Sequence, residues 1–413
     1  MSSIVQRRAL SLLKRGLLQN VVEPVHLRTP SFQRLHQISK NGALSQMYVR
    51  SSNPDTKTIH SATQPSVITT KDEVRELMAI WPDIVRDLTD PSLHPDIQEV
   101  SKWMVKVLQY NVPGGKKTRA LSTVHAYKIL CSPEDLTEEN IRLSRILGWC
   151  TELLQGFFLI NDDIIDNSLM RRNQPCWHHQ NNIGVTAIND GSLLEMCIYE
   201  LIKKYFKGKD CYLDLIELFL DTTMRTEMGQ CLDSLSTNFG KKPNLDLFTM
   251  DRYNAIVKYK TSYYSFVLPV IAAMHFAGIN DPEMHRQAKT LLLEMGHFFQ
   301  VQDDYLDSFG DPAVIGKIGS DIQDGKCSWL IVVALQRATP KQRKILMECY
   351  GVNDPEKVNR VKQLYNEIGL PNTYNIYEEE TYNLLQTHIQ QVSRGLPHDL
   401  FLKTLDRLYR RVS

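Results

Sequence analysis

Three aspartates, Asp162, Asp163 and Asp166, sit inside an apolar stretch, FFLINDDIID. The same D-D-x-x-D spacing returns at Asp303, Asp304 and Asp307 in FFQVQDDYLD. On a helix the first and last aspartates of each set share a face, where like charges repel by roughly a few tenths of a kcal/mol. Each set closely follows phenylalanines, so neither opens a plainly polar surface helix. Something cationic must offset the repulsion. Carboxylate oxygens suit hard cations. Mg2+ in particular is held by a few carboxylates, with water and substrate phosphates filling its other positions. Two facing helices, each carrying one set, could hold several such ions around a diphosphate. A lone copy of this spacing is more often a solvated helix face; two copies behind similar runs favour chemistry.

A bound diphosphate requires basic partners. The segment NVPGGKKTRALS places Lys116, Lys117 and Arg119 just after a Gly-Gly turn, where backbone N–H groups can approach phosphate oxygens. Arg171 and Arg172 follow the first aspartate set by a few residues. Lys260, Lys317, Lys326, Arg410 and Arg411 are further candidates. Taken singly, each is an ordinary surface charge.

These groups must be held by helices. From about residue 71 the apolar spacing is near 3.6, as in Ile97, Val100, Met104, Val107 and Leu108, and strand alternation is missing. Gly and Pro gather between the runs. The pattern predicts an all-α bundle of around ten helices, with one catalytic domain over residues 71–413. Residues 1–50 carry eight Lys/Arg against one acid, Glu23, which leaves the rest of the chain mildly acidic within a total of +1. That balance offers no nucleic-acid footprint. No apolar run reaches the roughly 18 residues of a spanning helix. The eight cysteines form no C-x-x-C pair and read as reduced core thiols. The first residues can form a basic amphipathic helix (Val5, Ala9, Leu12, Leu13 and Leu17 among Arg7, Arg8, Lys14 and Arg15). Residues 1–70 therefore read as a mitochondrial transit peptide and a Pro/Ser/Thr-rich linker, with a cytoplasmic location as the alternative.

In this order, NVPGGKKTRALS, LLQGFFLINDDIIDNSLMRRNQPCW, GQCLD, VKYKTSYYSFVLP, FFQVQDDYLDSFGD and GKIGSDIQDGKCSWL resemble the trans-prenyltransferases of the farnesyl diphosphate synthase family. The likeness covers nearly all of residues 75–413. It implies an isoprenoid-synthase fold with a central cavity, a homodimer, and head-to-tail condensation of isopentenyl diphosphate with an allylic diphosphate. It also implies about three Mg2+ ions held by the six aspartates, with Mn2+ or Co2+ as substitutes. Lys260, Thr261 and Gln300 would line the allylic cation. Lys116, Arg119, Gln155 and Arg172 would hold isopentenyl diphosphate; Arg171, Lys260 and Lys317 would hold the allylic diphosphate. Gln230 and Asp233 match cavity positions, Tyr264 and Lys326 are further candidate site residues, and Arg410 and Arg411 resemble a tail that closes the site. Phe157 and Phe158, about one turn before Asp162, would floor the cavity and limit the product to fifteen carbons. A ten-carbon synthase, a terpene synthase on the same scaffold and a non-catalytic helical subunit are the alternatives. Departures from the family pattern are Asn161, Met170, Asn173 and His297. The basic leader predicts that a full-length chain tagged at its C-terminus co-localises with mitochondria in imaging; uniform cytosolic signal would refute this.

Overall fold

Apolar runs punctuated by Gly and Pro become helices. The structure, a computed structural model, describes residues 70–92, 95–181, 183–315, 319–393 and 395–409. The proposed leader and linker, and Lys317, Arg410 and Arg411, lie outside the described residues. The first helices are α1 (Thr70–Ala79), α2 (Trp81–Thr89), α3 (Gln98–Asn111), α4 (Thr118–Leu130) and α5 (Glu138–Ile165). Then come α6 (Ala187–Phe206), α7 (Tyr212–Ser236) and α8 (Met250–Ile256). A π-helical segment (Val257–Val267) joins α8 to α9 (Leu268–Phe276), and α10 (Pro282–Phe309) follows. Two single turns, α11 (Pro312–Ile315) and α12 (Asp321–Asp324), precede α13 (Trp329–Arg337), α14 (Pro340–Cys349), α15 (Pro355–Glu367), α16 (Leu370–Gln390) and α17 (His398–Leu408). The all-α expectation holds. The helices outnumber the ten or so expected because the C-terminal third is cut into short pieces. Pro312, Pro340 and Pro355 each start a new helix at its first position, where a missing N–H costs nothing.

Capping follows the local sequence. The Thr137 side chain accepts from the Asn140 N–H at the start of α5, and Asp281 caps α10 ahead of Pro282. One short antiparallel ribbon, β1 (Met170–Arg171) with β2 (Gln174–Pro175), follows α5. Its two-residue turn puts Arg172 and Asn173 at φ 54° and 61°. A tight hairpin turn demands this pair of positive values, and asparagine tolerates them better than most residues. The departure at Asn173 is thereby explained.

α5 runs through the core, packed along α4 and α6. Its Trp149 is fully buried, and the indole N–H donates to the Leu77 carbonyl at 3.0 Å. Long side chains of this kind each stabilise by about 1.5–3 kcal/mol on burial. The π segment is wedged between α7 and α10. A Cβ on Gly229 of α7 would lie 2.2 Å from the Lys260 nitrogen, and one on Gly296 of α10 would lie 2.5 Å from the Ser262 Cβ. Only glycine allows backbones this close. The Ser262 hydroxyl donates to the Val257 carbonyl, five residues back, in step with the wide turn. Among the described residues no helix is long and apolar enough to cross a membrane.

Candidate active site

The first aspartate set closes α5. Asp162 and Asp163 lie in its last turn and Asp166 is its C-cap residue. A helix C-terminus carries partial negative charge, so three carboxylates there are unfavourable without cations. Three cations meet them, all brought from elsewhere in the chain. Arg171, in β1, puts Nε 3.0 Å and Nη2 2.5 Å from Asp163 Oδ1, and reaches Asp162 Oδ2 at 3.5 Å. Lys260, in the π segment, donates to Asp162 Oδ1 at 3.1 Å and to Asp233 Oδ2 at 2.6 Å. Lys326 donates to both oxygens of Asp166, at 2.8 and 2.7 Å, and to Asp233 Oδ2 at 3.0 Å. Asp233 of α7 therefore joins two ammonium groups, a role its expected place on the cavity wall did not specify. Burial alone would raise the pKa of both Asp162 and Asp233, but Lys260 and Lys326, and for Asp162 also Arg171, hold both carboxyls below the usual range. At Asp166 burial wins, assisted by the Asp162 charge, and its pKa rises.

The second set lies in α10. Gln300 bridges it to the π segment: the Thr261 hydroxyl donates to Gln300 Oε1 at 2.8 Å, and Gln300 Nε2 donates to Asp304 Oδ1 at 2.9 Å. Asp304 also accepts from the Trp329 N–H at 2.7 Å, and burial pushes its pKa up to about 7. Asp307 accepts from the N–H groups of Ser320 and Asp321, which ties α10 to the start of α12. Asp303 is half-buried on the same helix. Asp324, an acid that the motif reading passed over, feels both Asp166 of the first set and Asp307 of the second. It lies at the end of α12.

Beside the network lies a basic spot with little counter-charge. Arg119 donates to the Tyr264 hydroxyl at 2.9 Å and Ser265 Oγ at 2.7 Å, and its guanidinium lies 4.5 Å from the Tyr264 ring. Its Nε is buried without a hydrogen-bond partner. Arg172 lies across the Gly-Gly turn, where a Cβ on Gly115 would come 2.9 Å from Arg172 Nε. The glycines thus leave room for an arginine beside the turn. Burial lowers the Arg172 pKa, and Arg171 and Arg119 press it the same way, with Glu152 as the opposing acid. Glu152, missed in the sequence, is a buried acid whose place in an apolar run was the available signal. Lys117, proposed above as a phosphate ligand, is instead buried and donates to the Gly114 carbonyl; desolvation lowers its pKa to about 8. Lys116 is exposed at the turn and Gln155 half-buried on α5.

Phe157 and Phe158 are buried one turn before the aspartates, with ring centroids 5.1 Å apart. Phe158 meets Tyr264 edge-on at 5.2 Å. Asn161 turns its buried, unpartnered Oδ1 towards Gly191 of α6, where a Cβ would stand 3.2 Å away. Gln230 Nε2 is likewise buried and unpartnered. His297 lies off the site: its ring bonds Asn254 Oδ1 at 2.8 Å and the Tyr377 hydroxyl at 3.1 Å, and burial drops its pKa to about 4. A neutral ring can tie α8, α10 and α16 together without a buried charge. A cavity of about 720 Å³ lies beside these groups. Trp103, Tyr110 and Trp177 line it together with Asp163, Arg171 and Arg172, but neither Lys260 nor Gln300 does.

The donor set fits a hard divalent cation. Its acceptors are carboxylate oxygens, partly exposed at Asp162 and Asp166 and already matched to ammonium and guanidinium groups. Among the described residues no three His, Cys, Asp or Glu side chains converge to hold a metal unaided. Such ions usually take one or two carboxylates and complete their shell with substrate phosphate.

Over residues 101–368 the sequence matches the polyprenyl synthetase family. Farnesyl pyrophosphate synthase of Nezara viridula is 55% identical over 350 residues, 85% of this chain and 85% of that protein. The Homo sapiens farnesyl pyrophosphate synthase is 49% identical over 82% of this chain and 81% of its own length. In structure, a T. brucei farnesyl diphosphate synthase complexed with a bisphosphonate superposes with a TM-score of 0.77 at 30% identity, covering 82% of this chain and 99% of that one.

Removing the Asp233 charge leaves two buried lysines competing for the α5 carboxylates. Asp233→Asn is expected to cost about 2 kcal/mol in urea denaturation. That is less than the 3–5 kcal/mol of a wholly unpaired buried charge, because each lysine keeps a second carboxylate. Adding Lys326→Met should recover about half of the loss. A double-mutant coupling near zero would show that Asp233 does not hold Lys326.

Proposed function

The chain belongs to the polyprenyl synthetase family, and we infer that it is a prenyltransferase that condenses isopentenyl diphosphate with dimethylallyl and geranyl diphosphates to give farnesyl diphosphate and pyrophosphate. One observation carries the reading. The aspartates that end α5 are bridged through Lys260 and its neighbour Thr261 to Gln300 and the aspartates of α10, beside an under-neutralised arginine pair.

Each group has a task in that reaction. Arg171, Lys260 and Lys317 bind the allylic diphosphate, and Asp163 orients Arg171 through its paired contacts. The family depends on divalent metal. Asp162, Asp166 and Asp303 would hold Mg2+, three ions per site, with Asp304 and Asp307 in support; when bound they supply Lewis-acid neutralisation of the leaving pyrophosphate. Lys326 and Asp233 set the charge around that site. The Thr261 hydroxyl and the Gln300 side chain lie along the path of the developing allylic cation as preorganised dipoles. Arg119, Arg172, Lys116 and Gln155 hold isopentenyl diphosphate; the unpartnered Arg119 Nε is a donor waiting for an anion. The departed pyrophosphate takes the final proton, so no histidine base is needed. By the family resemblance Arg410 and Arg411 would belong to a closing tail, and Tyr264 and Gln230 shape the site wall.

The chain acts as a homodimer. More than half exposed on α6 and α7 are Ile188, Met196, Leu220, Met224, Met228 and Leu235. On α7 they recur at spacings that form one apolar stripe, which a second copy would bury. The mitochondrial location rests on the basic leader.

Incubation with isopentenyl and dimethylallyl diphosphates and Mg2+ should release pyrophosphate and yield a fifteen-carbon product. Asp162→Ala should lower kcat by at least a thousandfold; near-normal turnover in that variant would remove the metal role assigned to Asp162. Phe158→Ala, which opens the floor beneath the aspartates, should shift product towards twenty carbons by chromatography. An unchanged chain length would reject the floor.

A further inference from the structure

Away from the catalytic residues, a second cavity of about 340 Å³ opens where α7, the π segment and the start of α10 meet. Its floor is apolar, built from Leu218, Val267 and Ile271, with Tyr263 as one wall. Cations crowd that wall. The Arg225 guanidinium lies 4.9 Å and the Lys289 ammonium 5.3 Å from the Tyr263 ring centroid. Next to it, the Lys258 ammonium lies 5.6 Å from the Tyr259 ring, whose centroid is 5.7 Å from that of Tyr263.

The counter-charge does not match. Asp221 pairs with Arg225 at 2.9 Å, and Glu283 pairs with Arg286 at the rim. Among the described residues no carboxylate lies within ion-pair distance of Lys258 or Lys289. Burial lowers the Lys289 pKa, Arg225 and Lys258 push it further down, and the Asp221 carboxylate opposes them. Like charges gathered on a half-buried wall are unfavourable unless an anion joins them. Aromatic faces soften the repulsion but do not neutralise it.

The geometry points to a binding site for a small phosphate-bearing amphiphile: the phosphate between Lys289 and Arg225, a short apolar chain over Leu218, Val267 and Ile271. The volume sits at the lower end of the roughly 300–1,000 Å³ typical of ligand clefts. It suits a chain of about eight carbons better than a long lipid. None of the residues that form this site takes part in the proposed catalysis, so the site stands whether or not that reading does. Tyr263 lies three residues after Lys260 in the same π segment, so the site borders the catalytic wall.

Equilibrium dialysis of the full-length chain against octyl phosphate tests it. One class of sites should persist in Lys260→Met, whose catalytic centre has lost a cation. The same class should weaken at least about tenfold in Lys289→Gln and survive in Lys289→Arg, because a charge-assisted phosphate contact is worth about a tenfold change in affinity. Inorganic phosphate alone should bind about tenfold more weakly than octyl phosphate. Circular dichroism shows whether Lys289→Gln is folded. A folded Lys289→Gln that binds octyl phosphate like the wild type overturns the site. Loss of all binding in Lys260→Met does so too, because it moves the ligand to the catalytic centre. Equal binding of inorganic phosphate and octyl phosphate overturns the amphiphile assignment.

Discussion

Acidic side chains at the end of a buried helix set the terms for this structure. α5 finishes with Asp162, Asp163 and Asp166 at the pole of its dipole that already carries negative charge. Dipole, burial and mutual repulsion act together against all three. The fold answers with cations from three segments: the ribbon directly after α5 and, from far along the chain, the π segment and the loop after α12. Asp233 then satisfies two of these lysines at once. The network is not an isolated surface bridge of the kind worth little. Each charge has a partner that would be stranded without it, and this is what makes the three segments converge.

Convergence has a steric requirement as well. For Lys260 to reach both Asp162 and Asp233, its backbone must pass unusually close to α7. Gly229 makes that possible, and Gly296 does the same for α10 on the other side of the segment. The wide π turn lies between these two glycines. Long π runs are rare and gather at functional sites. Here the turn brings Lys260 to one aspartate set and Thr261, through Gln300, to the other. A charge constraint and a packing constraint thus meet in a few residues, and the catalytic reading follows from that meeting.

The same economy explains residues that looked anomalous. Asn173 departs from the family pattern yet occupies a positive φ that asparagine can adopt. His297, another departure, does its work as a neutral ring between helices. Lys117 was read as a phosphate ligand, but its ammonium closes the Gly-Gly turn from within. Asp163 belongs to the motif yet is occupied by Arg171, and Asp304 and Asp307 are partly spent on backbone N–H groups. A motif of six aspartates therefore contains residues with different immediate work.

Much of this was legible in the amino-acid chain. Helical periodicity, the two D-D-x-x-D sets and the order of the motifs around them determined the fold class, the reaction class and most candidate residues. These are local properties: apolar spacing, turn residues and side-chain chemistry travel with the sequence. Pairing was not legible. Nothing in GQCLD indicates that Asp233 meets both Lys260 and Lys326, and nothing in KYKTSYYSF predicts a π turn pinned by glycines from two other helices. The basic pocket at Tyr263 draws on residues dozens of positions apart. Only tertiary structure decides such contacts, because they depend on which helix faces pack and how near two backbones can come.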